Sequence, residues 1–126
     1  MSIMVSLKEM CVMNLMNISA VKNQRQALIK SNFDEIYKHE MAHKRAAGAL
    51  AGAIVIERNA HGIPIGGHVS IKMPTLNPKN PKKTIDNANT VIEAAMAPSD
   101  PSAQDYKVAA QAQQIKAQAK KLDYYA

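Results

Sequence analysis

The segment HEMAH at residues 39–43 has the residue types and the spacing of a zinc site. His39 and His43 are four residues apart, so on a helix both imidazoles project from one face, one turn apart. Glu40 flanks this pair and can reach a water on the metal without being a ligand itself. In a zinc hydrolase the metal lowers the pKa of that water, and the glutamate accepts its proton. The motif therefore predicts a Zn²⁺ site with His39 and His43 as ligands and Glu40 as general base. The competing interpretation is an ordinary charged helix with surface histidines.

A zinc site of this kind needs a third protein ligand, and no third histidine falls within the following helical turns. Three later residues are candidates, namely Glu57, His61 and His68. His61 falls in a turn-rich tetrad, where exposed polar residues are common, and Glu57 is placed to face solvent on a predicted strand. His68 follows two glycines, whose missing side chains permit close approach to another backbone. We therefore favour His68 as the third ligand, with a structural histidine as the alternative.

The site must be positioned by a long helix and a β-hairpin. The composition predicts a helix from about Ala20 to Ala51, broken near residues 31–32 and loosened at Gly48 and Gly52. β-branched runs on both sides of residues 59–62 predict the hairpin. In its second strand, alternation directs the side chain of His68 to the face opposite Val69 and Ile71.

Two helices are predicted after the hairpin. Asn80 and Pro81 have the cap-and-proline pattern of a helix start, and Pro98 ends that helix. Asp100 and Pro101 predict the next start in the same way. The apolar face of the first helix is predicted to contain Ile85, Ala88, Ile92, Ala95 and Met96, and that of the second Val108, Ala112, Ile115, Ala119 and Leu122.

Ser102 and Asp105 fit an S-x-x-D capping box at the start of the last helix. A carboxylate that steadies a ligand imidazole is the alternative role for Asp105.

Three segments together resemble a known family. They are HEMAHKRAAG at 39–48, GGHVSI at 66–71 and TIDNANTVIEAAMAPSDPSAQDYKVAAQA at 84–112. On these segments the chain resembles the SprA-related family of bacterial zinc metallopeptidases, over about residues 33 to 120. The resemblance implies a zincin-like metal site with His39, His43 and Glu40 in the roles given above. Relatives carry Glu where this chain has His68, and since both residue types ligate zinc, the exchange supports a ligand role there.

The fold expected from these elements is α+β and mostly helical. A zincin-like metal helix is followed by a β-hairpin and a C-terminal helical pair. With 126 residues, the chain has the length of one domain. We expect residues 1–20, which are Met-rich and do not resemble the family, to be a poorly ordered or variable extension. Residues 21–126 are then the single metallopeptidase domain.

The composition indicates which classes of partner are expected. The net charge is +6, but no aromatic residues are interleaved with the lysines, so nucleic acid is not expected as a partner. Cys11 is the one cysteine, and no apolar run reaches the length of a membrane span, which favours a soluble cytoplasmic protein. The expected function is zinc-dependent hydrolysis of a peptide or protein substrate. The alternative is a non-enzymatic, zinc-stabilised protein-interaction module.

Overall fold

The computed structural model describes the backbone of residues 7–125 and the side chains of residues 17–125. In chain order the elements are helix α1 (Leu7–Ala47), a 3₁₀ turn (Gly48–Leu50), strands β1 (Ala51–Arg58) and β2 (Pro64–Ile71), and helices α2 (Pro81–Ala95) and α3 (Ala103–Tyr125). The predicted order of a helix, a two-stranded antiparallel hairpin and a C-terminal helical pair is confirmed.

Helix α1 runs without interruption, so the predicted break at residues 31–32 is wrong. The side chain of Asn32 does not cap a helix: its Nδ2 donates to the carbonyl of Pro64, 3.0 Å away, and ties α1 to the start of β2. The predicted boundary near residue 20 falls inside α1, and residues 1–6 lie outside the described residues. That residues 1–20 form a variable extension stays a prediction.

Part of α1 projects into solvent. Residues 17–28 are exposed, and they include the apolar side chains of Ile18, Val21 and Leu28. Over residues 7–125, neither α1 nor any other helix combines the length and the apolar character that crossing a membrane requires. Within residues 17–47 of α1, the first half-buried residue is Ile29, one turn before Asn32.

Helix α1 ends at Ala47, before the predicted end near Ala51, and the 3₁₀ turn that follows begins at Gly48, one of the two glycines predicted to loosen the helix. Gly48 has a φ of 55°, in the left-handed region that a residue without a Cβ adopts most readily. Gly52, which was expected to loosen the same helix, belongs to β1 instead. The chain thus turns from helix to strand within one 3₁₀ turn, which places the hairpin directly beside the HEMAH segment.

The hairpin pairs β1 and β2 in antiparallel register, with Val55 opposite His68. Its turn is held by Asn59, whose Oδ1 accepts hydrogen bonds from the backbone N–H groups of His61 and Ile63 at 2.9 and 3.1 Å. His68 is exposed, whereas its neighbour Val69 is half-buried, so the predicted alternation along β2 is confirmed.

Helix α2 begins as predicted, with the Asn80 side chain accepting from the backbone N–H of Lys83 at 3.3 Å and a proline at the start. Helix α3 begins at Ala103, later than the predicted start at Asp100 and Pro101. Its cap is the Ser102–Asp105 box: Asp105 Oδ2 accepts from the N–H of Ser102 at 2.8 Å, and Ser102 Oγ accepts from the N–H of Asp105 at 3.1 Å. The capping box is therefore confirmed.

The core is built from small side chains. It contains Ala47 of α1, Ala88, Val91, Ala94 and Ala95 of α2, and Ala112 and Ala119 of α3. The predicted stripe of α3 is buried or half-buried throughout. The face of α2 differs from the prediction, since Met96 is exposed and Val91 and Ala94 are buried. Helix α2 packs against both α1 and α3, so its buried surface is wider than one apolar stripe.

Gly67 permits the close approach of the hairpin to α1. A Cβ at this position would lie 2.7 Å from Ile36 Cγ2 and 3.0 Å from the Val55 carbonyl oxygen. We expect Gly67→Ala to lower the free energy of unfolding by about 1–3 kcal/mol, because the strand must shift to relieve this overlap. Gly66→Ala is the matched control, since its Cβ would meet only Glu57 Oε2 at 3.5 Å. Urea unfolding of both variants measures the difference, and equal stabilities would contradict this account.

Candidate metal centre

Three ligand-type side chains meet where α1 faces the start of α3. The Nε2 atoms of His39 and His43 are 3.1 Å apart. Asp105 Oδ2 lies 3.4 Å from the Nε2 of His39 and 3.2 Å from that of His43. Among the described residues, no other set of three or more His, Cys, Asp or Glu side chains has its ligand atoms within 4.8 Å of one another. We call these three candidate metal ligands the metal group.

The other nitrogen of each imidazole has its own acceptor. Nδ1 of His43 lies 2.7 Å from the carbonyl oxygen of Ala94, in the last turn of α2. Nδ1 of His39 lies 3.1 Å from Asp100 Oδ1, in the connection between α2 and α3. Because both partners accept hydrogen bonds, each neutral ring carries its proton on Nδ1 and presents the lone pair of Nε2 to Asp105. Metal-bound histidines are oriented in the same way, because an acceptor for the proton on the other ring nitrogen fixes the ring.

The Asp100 carboxylate is suited to this acceptor role. Its hydrogen bond with His39 lowers the pKa of the Asp100 carboxyl below its ordinary value, and the nearby charge of Lys38 acts in the same direction. Asp100 is therefore ionised at neutral pH, where it holds the His39 ring with Nε2 directed to the group.

The spacing of the three ligand atoms fits a small tetrahedral cation. Two ligand atoms at ordinary Zn–N and Zn–O distances in a tetrahedral site are roughly 3.3–3.4 Å apart. The three observed separations are 3.1, 3.2 and 3.4 Å. Two lone pairs and a carboxylate oxygen at such distances repel one another unless a cation or a proton lies between them. The donor set of His39, His43 and Asp105 therefore fits Zn²⁺.

The capping box orients the carboxylate of Asp105. The N–H of Ser102 donates to the same Oδ2 atom that faces the imidazoles, so the start of α3 fixes the direction of that oxygen. An anionic side chain in the first turn is also favoured by the positive end of the helix dipole. The Asp105 side chain therefore has two roles. It caps α3 locally, and it contacts the two histidines of the distant helix α1.

Glu40 lies beside this group in a cleft of about 390 Å³. His39, His43 and Asp105 line the same cleft, and Gly67 borders it from β2. Glu40 is 7% exposed and is not one of the three clustered side chains. A buried carboxylate next to the metal group, but outside it, has the placement of a proton acceptor.

The structure does not bring His68 into the group of ligand atoms. Its Nδ1 lies 3.2 Å from Glu57 Oε1 on the adjacent strand, and more than half of each side chain is exposed. His68 does line the cleft. Another candidate, His61, is exposed at the hairpin turn and is not part of the group. Of the residues predicted to bind the metal, His39 and His43 are brought together. The third side chain beside them is Asp105 and not His68.

From the sequence, a position beside the imidazoles was only the alternative role of Asp105. Its capping pattern gave a sufficient local explanation for an aspartate at this position, and nothing local connects it to the HEMAH segment. One available signal was the loop before it: residues 97–102 contain two prolines and Asp100, a second acidic side chain that contacts His39.

The fold and the site together define a mostly helical protein with a candidate metal centre of two histidines and one carboxylate. The sequence model of the SprA-related family matches residues 12–123, which is nearly the whole chain. The chain belongs to the SprA-related family. The match begins within the segment expected to be a variable extension. No curated protein and no solved structure matches the chain.

Proposed function

We propose that this protein is a zinc-dependent metallopeptidase that hydrolyses peptide bonds. The observation that carries the proposal is the group formed by His39, His43 and Asp105 in the wall of a cleft that Glu40 also lines. Three protein ligands with room beside them are typical of catalytic zinc sites, whereas structural sites are closed by four. Membership of the SprA-related family agrees with this function but does not specify it.

In this proposal His39, His43 and Asp105 hold the zinc. When bound, zinc would supply a Lewis acid that lowers the pKa of a water and polarises a carbonyl group. Glu40 accepts the proton from the attacking water at its carboxylate and transfers it to the leaving amine. Asp100 and the carbonyl of Ala94 hold the two Nδ1 protons, which keeps both Nε2 atoms available as ligands.

The neighbouring strand supports a peptide as the substrate. Strand β2 is bonded to β1 on one edge, and in the described residues its other edge has no partner strand. Gly67, His68, Val69 and Ile71 of β2 line the cleft, and no residue of β1 does so. An extended peptide can pair with a free strand edge through backbone hydrogen bonds, and here it would pass the metal group.

The alternative is a non-enzymatic, zinc-stabilised interaction module. Zinc would then tie α1 to α3 across an alanine-rich core, and its role would be folding rather than chemistry. A structural site has no use for Glu40, and it is usually closed by a fourth protein ligand. The retained glutamate and the cleft therefore favour the enzyme.

The test is zinc content by elemental analysis, measured in parallel with hydrolysis of an unfolded protein substrate. We expect one zinc per chain in the wild type, its loss in His39→Ala and His43→Ala, and its retention in the control His61→Ala, which changes the exposed turn histidine. Hydrolysis should stop on chelation and return on addition of zinc. A wild-type chain without zinc after reconstitution would reject the proposal. Zinc whose removal unfolds the protein, without any hydrolysis, would favour the interaction module.

A further inference from the structure

A second cavity, of about 320 Å³, lies between the segment after β2 and the first two turns of α2. Lys72 and Lys83 are its charged lining residues, and none of the lining residues is acidic. The side chains of Asn77 and Asn87 add hydrogen-bonding groups, and Leu50 adds an apolar wall. We call this feature the lysine cavity.

The walls of the lysine cavity are braced by hydrogen bonds. Thr84 Oγ1 donates to the carbonyl of Thr75 at 3.1 Å and accepts from the backbone N–H of Asn77 at 3.0 Å. Thr84 is 1% exposed, so this bracing is buried. The backbone N–H of Lys72 donates to the carbonyl of Leu50 at 2.9 Å. The cavity is therefore formed before any ligand enters it.

The charge of this region is not balanced by the protein. The stretch from Lys72 to Lys83 contains four lysines and no acidic residue. Across residues 17–125, the ion pairs within 4.0 Å include none of these four lysines. The positive end of α2 adds to the potential, because the cavity is lined by residues of its first two turns. Asp86, the first acidic residue after the stretch, is not a lining residue.

The lysine cavity adjoins the cleft of the metal group. Met73 lines both. Of the two residues before it, Ile71 lines the cleft and Lys72 lines the lysine cavity. A chain lying along β2 past the metal group would therefore reach the cavity. We propose that the lysine cavity is a specificity subsite that takes an acidic side chain of the peptide substrate through Lys72 and Lys83. This proposal rests on the proposed peptidase function.

The test uses the zinc-loaded Glu40→Gln variant, in which binding is separated from cleavage. Its probes are fluorescently labelled peptides of Ala, Ser and Gly, either neutral or carrying one Glu or one Lys at successive positions. We expect one register of the Glu series to bind more tightly than the neutral and Lys peptides. Adding Lys72→Gln and Lys83→Gln should weaken that binding about fivefold and leave the neutral peptide unchanged. Lys79→Gln with Lys82→Gln is the matched control, since it removes the same charge from residues that do not line the cavity.

Equal binding of the acidic and neutral peptides would overturn the subsite. An equal loss of affinity for the acidic peptide in the two double variants would also overturn it, because the net charge of the protein alone would then explain the preference. Cleavage by the wild type separates this proposal from the peptidase function. Cleavage without a preference for acidic peptides rejects the lysine cavity and keeps the enzyme. A register-specific preference in binding, without cleavage of any peptide by the zinc-loaded wild type, rejects the enzyme and keeps the cavity.

Discussion

Replacement of Asp105 by alanine is expected to abolish stoichiometric zinc binding, whereas His68→Ala is expected to preserve it. Asp105 Oδ2 lies within 3.4 Å of both Nε2 atoms, and its removal leaves two neutral ligands without an anionic one. Since loss of a residue that merely supports a ligand lowers metal affinity 10–100-fold, loss of the ligand itself should cost about a hundredfold or more. His68 contacts Glu57 instead, so its removal should change zinc affinity by less than about tenfold.

The controls for this experiment follow from the second role of Asp105. The Asp105 carboxylate also caps α3, so Asp105→Ala loses helix stability together with the ligand. Ser102→Ala removes the Oγ that accepts from the Asp105 N–H and keeps the carboxylate. It should lower the free energy of unfolding by about 1 kcal/mol and retain zinc. Competition titration with a chromogenic chelator measures the affinities. Zinc retained in Asp105→Ala and lost in His68→Ala would reverse the assignment of the third ligand.

Glu40→Gln is expected to retain zinc and to lower kcat by about 10²–10⁴-fold, the range of general acid–base catalysis. Glutamine has nearly the shape of glutamate, so it should keep the packing of this buried position while losing the ability to accept a proton. Because Glu40 is outside the group of three ligand atoms, the metal should remain. KM for a peptide substrate should change little, since the proposed binding along β2 does not require the carboxylate.

The measurement is steady-state hydrolysis of a quenched fluorescent peptide, with zinc content and thermal unfolding of the same preparation. Wild-type kcat in a zinc-loaded Glu40→Gln protein would show that the base lies elsewhere. Loss of zinc together with activity would instead assign Glu40 a structural role. Glu40 packs close to Gly67, since a Cβ at position 67 would lie 3.3 Å from the Glu40 Cγ.

Asp105 would give so small a protein an anionic ligand for the proposed metal. Its carboxylate is fixed by the start of α3, and the imidazoles are fixed by Asp100 and Ala94 on the segments just before it. The three candidate ligands are therefore oriented by a backbone carbonyl, a capping N–H group and the Asp100 carboxylate, and not by bulky core side chains. This arrangement suits a core composed mainly of alanines, because small side chains allow α1 and α2 to approach closely.

The sequence by itself determined the local features of this protein. The four-residue spacing of His39 and His43 requires only a helix to bring both rings to one face, and the Asn80 and Ser102 caps require only their next three residues. The turn of the hairpin is local for the same reason. Each of these features depends on neighbours within one helical turn or one tight turn, where backbone geometry leaves few alternatives.

Only the tertiary structure decided which side chains join the histidines. Asp100 contacts His39 across 61 positions of the chain, and Asp105 reaches the same group from the start of another helix. The choice of His68 rested on the close approach that the two preceding glycines permit, and Gly67 does lie against α1. Close approach of the strand does not fix the distance of the His68 side chain from the helix. That distance depends on how closely Ala94, Ala95 and Gly67 allow the elements to pack. Such packing is the sum of many contacts between distant residues, and no single pattern in the sequence encodes it.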